Sequence, residues 1–152
     1  MGNPTTIVIE PADGNALIRE ELAVAAFSAG HLLEKVAAGY QKHSTAAGNA
    51  QKLFAVENLA DAGGIDRAYV AGETARAVYA KRGDKIYALV PAAAPAIVVG
   101  DALESNGDGT LRKAVADTAT DTTQRDAIVA YAAEAVNNSG GGAEARIQVE
   151  VA

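Results

Sequence analysis

Glycine, proline and clusters of small polar residues interrupt this chain so often that only short segments lie between them, and such punctuation favours β-strands over long helices. The last segment shows the pattern most clearly. Ile147, Val149 and Val151 alternate with Gln148 and Glu150, a period of two that places the three aliphatic side chains on one face. Ala75, Ala77 and Tyr79 alternate with Arg76, Val78 and Ala80 after a turn signal at Gly72. Arg82-Gly83-Asp84 marks a further turn, and Asn106-Gly107-Asp108-Gly109 before Thr110-Leu111 predicts a tight hairpin, because glycine takes positive φ without steric cost. Ile97-Val98-Val99 before Gly100-Asp101 reads as a short buried strand, with Pro91 and Pro95 bracketing the alanines ahead of it.

Other segments are ambiguous on propensity. Residues 16–29 contain Leu17, Ile18, Glu20, Glu21, Leu22 and several alanines, all good helix formers. Gly30 and Gly39 nevertheless divide the next stretch of chain into strand lengths, so Leu33–Val36 and Tyr40–His43 read as strand, turn, strand, and the strand reading is preferred throughout. Ile128, Val129, Tyr131 and Val136 suit either state, and Asn137-Asn138-Ser139-Gly140-Gly141-Gly142 is a flexible connection fit for a long hairpin. Residues 116–126 hold no apolar side chain larger than Ala and are expected to form a solvated loop.

A core built from this chain is short of bulk. The sequence has 36 Ala but only two Phe, five Tyr, one Met and no Trp. Alanine contributes little apolar area to burial, whereas a domain of this length normally hides roughly 70% of its unfolded surface. Burial against partners or other copies is therefore expected to supplement the core. The net charge of −6 divides evenly between the two halves, and the densest cationic set, Lys81, Arg82 and Lys85, is interrupted by Asp84. Nucleic-acid binding needs clustered cations, so no nucleic-acid partner is expected. The first residues lack the basic and apolar regions of a signal peptide, and no apolar run approaches the roughly 18 residues of a membrane span. Gly2 with Thr6 formally fits a myristoylation pattern, a short and common one.

Residues able to carry chemistry are sparse. There is no cysteine, hence no disulfide, thiolate nucleophile or cysteine zinc site. Glu104 to Leu111 places oxygen ligands at alternate positions before glycine, as a calcium loop does, but such a loop opens on Asp and closes on Glu where this chain has Glu104 and Val115. The segment is read as a hairpin turn. His31 and His43 fall on adjoining strands and could meet across a hairpin, yet no third ligand stands at a recognised spacing, so both are expected at the surface or an interface. Ser28, Ser44, Ser105 and Ser139 lie in no nucleophile elbow, and the glycine-rich nucleotide motifs are missing. Glu20 and Glu21 point to opposite sides of a strand, and the Arg82-Gly83-Asp84 tripeptide is explained by turn chemistry. The expectation is a structural or binding protein with no catalytic residues, no cofactor and no metal.

Several stretches carry a resemblance: Ala29-Gly30-His31-Leu32-Leu33-Glu34, Leu53-Phe54-Ala55-Val56-Glu57-Asn58, and Gly83-Asp84-Lys85-Ile86-Tyr87-Ala88. They are followed by Ile97 to Glu104 with Asn106 to Leu111, then Ala130 to Val136, and finally Arg146 to Val151. In order and texture, from about residue 29 to 151, these resemble the capsid cement, or head-decoration, proteins of tailed bacteriophages. The resemblance implies a mainly β fold, a small β-barrel or tulip-like antiparallel sheet with short helical or irregular segments. It also implies a homotrimer on the outer surface of the virion that clamps adjacent major capsid subunits of the expanded head and stabilises it. Residues 1–28 lie outside the likeness.

The residues fit that role with an extended N-terminal arm over residues 1–15 ahead of a single domain over 16–152. Pro4, Ile7, Val8, Ile9 and Pro11 are the candidate capsid-contacting residues, since an extended aliphatic arm can add to a neighbour's sheet edge. The alternative is a β-barrel ligand- or carbohydrate-binding module. It would require a concave aromatic platform, for which the chain offers only the scattered Tyr40, Tyr69, Tyr79, Tyr87 and Tyr131.

Overall fold

The computed structural model describes residues 4–115 and 127–152. Eleven strands run in chain order through the described residues: β1 (Val8–Glu10), β2 (Ile18–Leu22), β3 (Leu32–Val36), β4 (Gly39–Lys42), β5 (Leu53–Ala55), β6 (Thr74–Tyr79), β7 (Lys85–Val90), β8 (Ala102–Ser105), β9 (Leu111–Lys113), β10 (Ile128–Ala132) and β11 (Ala145–Val151). A short 3-10 turn spans Ala60–Ala62. The strands form two sheets with antiparallel ladders, a six-stranded one in the order β1-β7-β11-β10-β8-β9 and a five-stranded one in the order β2-β6-β5-β3-β4. The mainly β expectation holds. The sheets do not close into a barrel; they pack face to face.

Alternation explains how one sequence fills both faces of the five-stranded sheet. Leu32, Phe54 and Val78 lie on the face turned to the six-stranded sheet, where they join Ile86, Ala88, Val90, Leu103, Val129, Ile147, Val149 and Val151 in one core. Their strand neighbours Leu33, Leu53, Ala55, Ala75 and Ala77 point the other way, into a second core with Tyr40, Phe27 and Tyr69. Alanine has a positive role in that second core. Its small side chains on β5 and β6 leave room for aromatic rings, and Phe27 and Tyr69 meet with centroids 5.3 Å apart and planes inclined at 49°. The tyrosine hydroxyl donates to the carbonyls of Val56 (3.2 Å) and Glu57 (3.0 Å), so this ring carries its polar end into a satisfied position.

Two polar side chains tie distant segments together. Asp84 is buried in the turn before β7, and its carboxylate accepts the backbone N–H of Lys81 and of Ala12, both at 2.8 Å. The Asp84 carbonyl accepts from Val151 N–H at 2.9 Å. Arg146, on β11, lies over the Tyr87 ring at 5.5 Å and donates to the carbonyls of Ala29 (2.9 Å) and Ile65 (2.8 Å), joining the six-stranded sheet to two loops of the other layer.

Two expectations change and one ambiguity is resolved. Ile97-Val98-Val99 is not a buried strand: only Ile97 is buried, bridging Val136, while Val98 and Val99 are 55% and 66% exposed. The preceding prolines cannot donate to a ladder and Gly100 turns the chain at φ +88°, so the segment ends as a turn. Over residues 16–29 the preferred strand reading holds for β2, which an irregular run follows to Ala29, and pairing with β6 puts Ile18 against the core. The N-terminal segment is not a free arm. Residues 8–10 are the edge strand of the six-stranded sheet, paired to β7. The expected loop over 116–126 lies outside the described residues.

Candidate functional site

Of the five arm residues singled out in the sequence, Ile7 is wholly buried in the inter-sheet core, and Val8 and Ile9 are partly buried against it. The Ile7 carbonyl accepts from Tyr87 N–H at 2.8 Å, and its own N–H donates to the Glu57 carboxylate at 2.5 Å. Pro4 and Pro11 flank the strand, half-buried. The apolar triplet is thus committed to the chain's own sheet. What β1 still presents is its outer edge, which has no strand beside it among the described residues. An aliphatic triplet between prolines reads the same whether it pairs with its own chain or another, so the sequence holds no signal that separates the two.

Both histidines are buried within the chain's own fold, where surface or interface positions were expected. Each has its own partners and they share no site. His43 Nδ1 lies 2.7 Å from Ser105 Oγ and Nε2 lies 3.2 Å from the Asn49 carbonyl. For His31, the Ser28 backbone N–H donates to Nδ1 at 2.9 Å, which assigns the proton of the neutral ring to Nε2, facing Glu144 Oε1 at 3.0 Å. Because the Asn49 carbonyl can only accept, His43 carries its proton on Nε2 and its Nδ1 accepts from the Ser105 hydroxyl, with both side chains buried.

Burial drives the His31 pKa below its ordinary 6.5, with the Glu144 hydrogen bond and charge opposing and Lys42 assisting. The unfolded chain then binds the proton more readily than the folded one, so the stability contributed by neutral His31 is present above 6.5 and is lost as pH falls through the folded value. The melting temperature is expected to drop on acidification from 6.5 towards the lowered folded value. The slope should be shallower in His31→Gln, which keeps a donor toward Glu144 but does not titrate. Equal slopes would remove His31 from the acid response.

The remaining sequence candidates resolve into structural roles. Asp108 accepts from Thr110 N–H at 2.9 Å, from the Thr110 hydroxyl and from Asn106, inside the hairpin between β8 and β9, where Gly107 and Gly109 have φ +87° and +84°. Glu104 is buried and paired at 2.9 Å with Arg112 across that hairpin. Among the described residues, no group of three His, Asp or Glu is placed to hold a metal ion. Asp84 of the Arg82-Gly83-Asp84 turn is occupied by its bonds to the Lys81 and Ala12 backbone, and Ser139 donates to the side chain of Asn137 within the glycine-rich connection. Of the five tyrosines, Tyr40, Tyr69 and Tyr87 are buried, Tyr79 is half-buried and Tyr131 is 47% exposed, so they form no platform.

The exposed apolar surface gathers at loops. At one end of the five-stranded sheet, the exposed Leu22, Val24, Ala37, Ala38, Val70 and Ala71 come from three turns held together by hydrogen bonds. Ala23 N–H donates to Glu73 O, Gly72 N–H to Ala23 O and Val24 N–H to Tyr40 O, each at 2.8 Å. The second such surface is the loop between β7 and β8. There Pro91, Ala93, Pro95 and Ile97 line a groove of about 420 Å³ with Arg112 and Val115 opposite. Contiguous exposed apolar surface of this kind marks contact with other macromolecules more often than catalysis. Sequence reasoning missed both surfaces, since a Val or Ala in a turn carries no sign of its exposure.

No protein-family model matches the sequence, and no curated protein matches it. Among solved structures, the chain is similar to the N base of head fiber gp8.5 of bacteriophage phi29, with a TM-score of 0.52 and 12% sequence identity, over 91% of this chain and 95% of that one. At that identity the likeness is one of fold, and it runs over nearly the whole of both chains.

Proposed function

We propose that the chain is a structural protein of a bacteriophage virion that attaches to the outside of the head. The observation that carries this reading is the fold shared with a phage head-fiber base from end to end. The surface supports it: apolar residues are concentrated on turns at the ends of the sheets, where a chain with a net charge of −6 can meet a partner without bringing its own charges into contact. The histidines support it too, because their ring nitrogens hold the fold together. The finer reading, in keeping with the cement-protein resemblance, is that copies associate as trimers and tie adjacent major capsid subunits, so that several modest contacts act together.

Cosedimentation of the purified protein with expanded and unexpanded heads tests attachment, with light scattering for the oligomer. Binding to expanded heads is expected, together with density on the outer shell by electron cryo-microscopy. Heads that carry no such density, or equal indifference to both head forms, would overturn the reading. The outer edge of β1 and the turn carrying Val70 are the two surfaces to alter first, since both are available without disturbing the core.

A further inference from the structure

The five-stranded sheet curls until its two outermost strands, β2 and β4, touch at one end only, where Ala23 bridges Tyr40. The opening beside this contact is a cleft of about 270 Å³ lined by Leu17, Arg19, Glu20, Glu21, Lys35 and Tyr79. Strand register shows why these residues meet. Arg19 and Glu21 stand opposite Ala77 and Ala75, and Lys35 stands opposite Tyr40, all on the face that carries the aromatic and alanine core. Below them is the Tyr40 hydroxyl. Tyr40 is fully buried, its hydroxyl makes no hydrogen bond within 3.5 Å, and the groups acting on it are Tyr79, its nearest hydrogen-bonding neighbour, and the charged Glu21 and Arg19, three of the six residues that line the cleft.

We propose that this cleft binds a neutral polyhydroxyl ligand of the size of one sugar ring, with the Tyr40 hydroxyl as the innermost polar contact. The wall carries two cations, Arg19 and Lys35, and two anions, Glu20 and Glu21, so it offers no net charge to a simple ion. An anion meets the glutamates and a cation meets Arg19 and Lys35. A hydroxyl both donates and accepts, and so matches a wall of mixed sign. Glu21 and Lys35 hold each other at 2.5 Å, whereas Arg19 reaches only the Ile18 carbonyl at 3.4 Å and pairs with no carboxylate among the described residues. Its planar donors therefore remain available to a ligand, and the half-buried Tyr79 ring provides an apolar wall beside them. Buried polar groups are almost always satisfied, and leaving one orphaned lowers stability. A tyrosine kept in such a position, where phenylalanine fills the same space, has its hydroxyl for something that arrives from outside. The proposal does not depend on head attachment, and either reading can fail without the other.

The test is an NMR titration of the full chain with methyl glucoside and with N-acetylglucosamine, repeated with sodium phosphate and with glycine as ionic and zwitterionic probes. Saturable shifts at the backbone amides of residues 18–22 and 35 are expected with at least one sugar, and weaker or no shifts with phosphate and glycine. Tyr40→Phe should melt no lower than the parent without ligand and bind the sugar several-fold more weakly; Arg19→Ala should also weaken binding. Absence of saturation with both sugars would overturn the proposal, as would phosphate or glycine shifting those amides more than either sugar. So would a Tyr40→Phe chain that binds sugar equally well, or one that melts below the parent, since the hydroxyl would then be structural.

Discussion

Replacing Gly39 with alanine is expected to destabilise the fold by about 2–6 kcal/mol, from backbone strain of roughly 1–3 kcal/mol and overpacking of similar size. Gly39 opens β4 with φ +138°, a conformation that side-chain-bearing residues rarely adopt. A Cβ added there would stand 2.0 Å from the Leu22 carbonyl oxygen and 2.9 Å from its carbon. Both obstacles are backbone, so no side-chain rotation relieves them. The carbonyl belongs to the end of β2 just where β2 and β4 meet, and separating them would break the Val24 N–H to Tyr40 O hydrogen bond. In a chain of this length each kcal/mol lost lowers the melting temperature by roughly 2–4 °C. Thermal unfolding followed by circular dichroism measures it. A drop under a degree would mean that β2 and β4 part easily and that their contact contributes little.

Phe54→Ala is expected to cost about 3–5 kcal/mol, the usual range for removing a buried aromatic ring. Phe54 is fully buried on β5, the middle strand of its sheet, between Leu32 on β3 and Val78 on β6, and its ring faces the six-stranded sheet. It is one of only two phenylalanines in the chain, and the neighbouring alanines are too small to collapse into the space it would leave. Equilibrium denaturation in urea reads the change as a lower midpoint at unchanged slope. Ala55→Gly, its neighbour facing the other core, serves as the comparison for a small change at the same strand. A Phe54→Ala loss below that of Ala55→Gly would show that the inter-sheet layer is not where the fold is held.

The parts of the fold legible in the sequence are those where one strand has one buried face. Ile147, Val149 and Val151 alternate with polar residues and lie in the core as their period requires, and the Asn106 to Gly109 turn has its glycines at the positive φ values that the dipeptides announce. On β6 the pattern was harder to read, because Ala75 and Ala77 face one core and Val78 the other, so that both faces look apolar. Burial of His31 and His43 was hidden for a different reason. Their partners are Glu144, Ser105 and backbone groups, which lie far off in sequence or carry no side-chain signature. The cleft at β2 was least legible of all. Arg19, Glu20, Glu21, Lys35 and Tyr79 come from three strands, and only the curl of the sheet brings them together around one opening.

The strand order of the larger sheet has a consequence for when this protein can fold. β11, the last strand in order, is an inner strand that pairs with β7 on one side and β10 on the other. Until residues 145–151 have left the ribosome, β1 and β7 have no bridge to β8, β9 and β10, and the two halves of the sheet remain unjoined. The five-stranded sheet, complete by Tyr79, is then left with its Leu32, Phe54 and Val78 face uncovered. Long-range pairing of this kind is slow to form and leaves apolar edges open to other chains while it waits. The larger sheet is therefore expected to form only once β11 is available, with chains cut short before β11 the species most prone to aggregate.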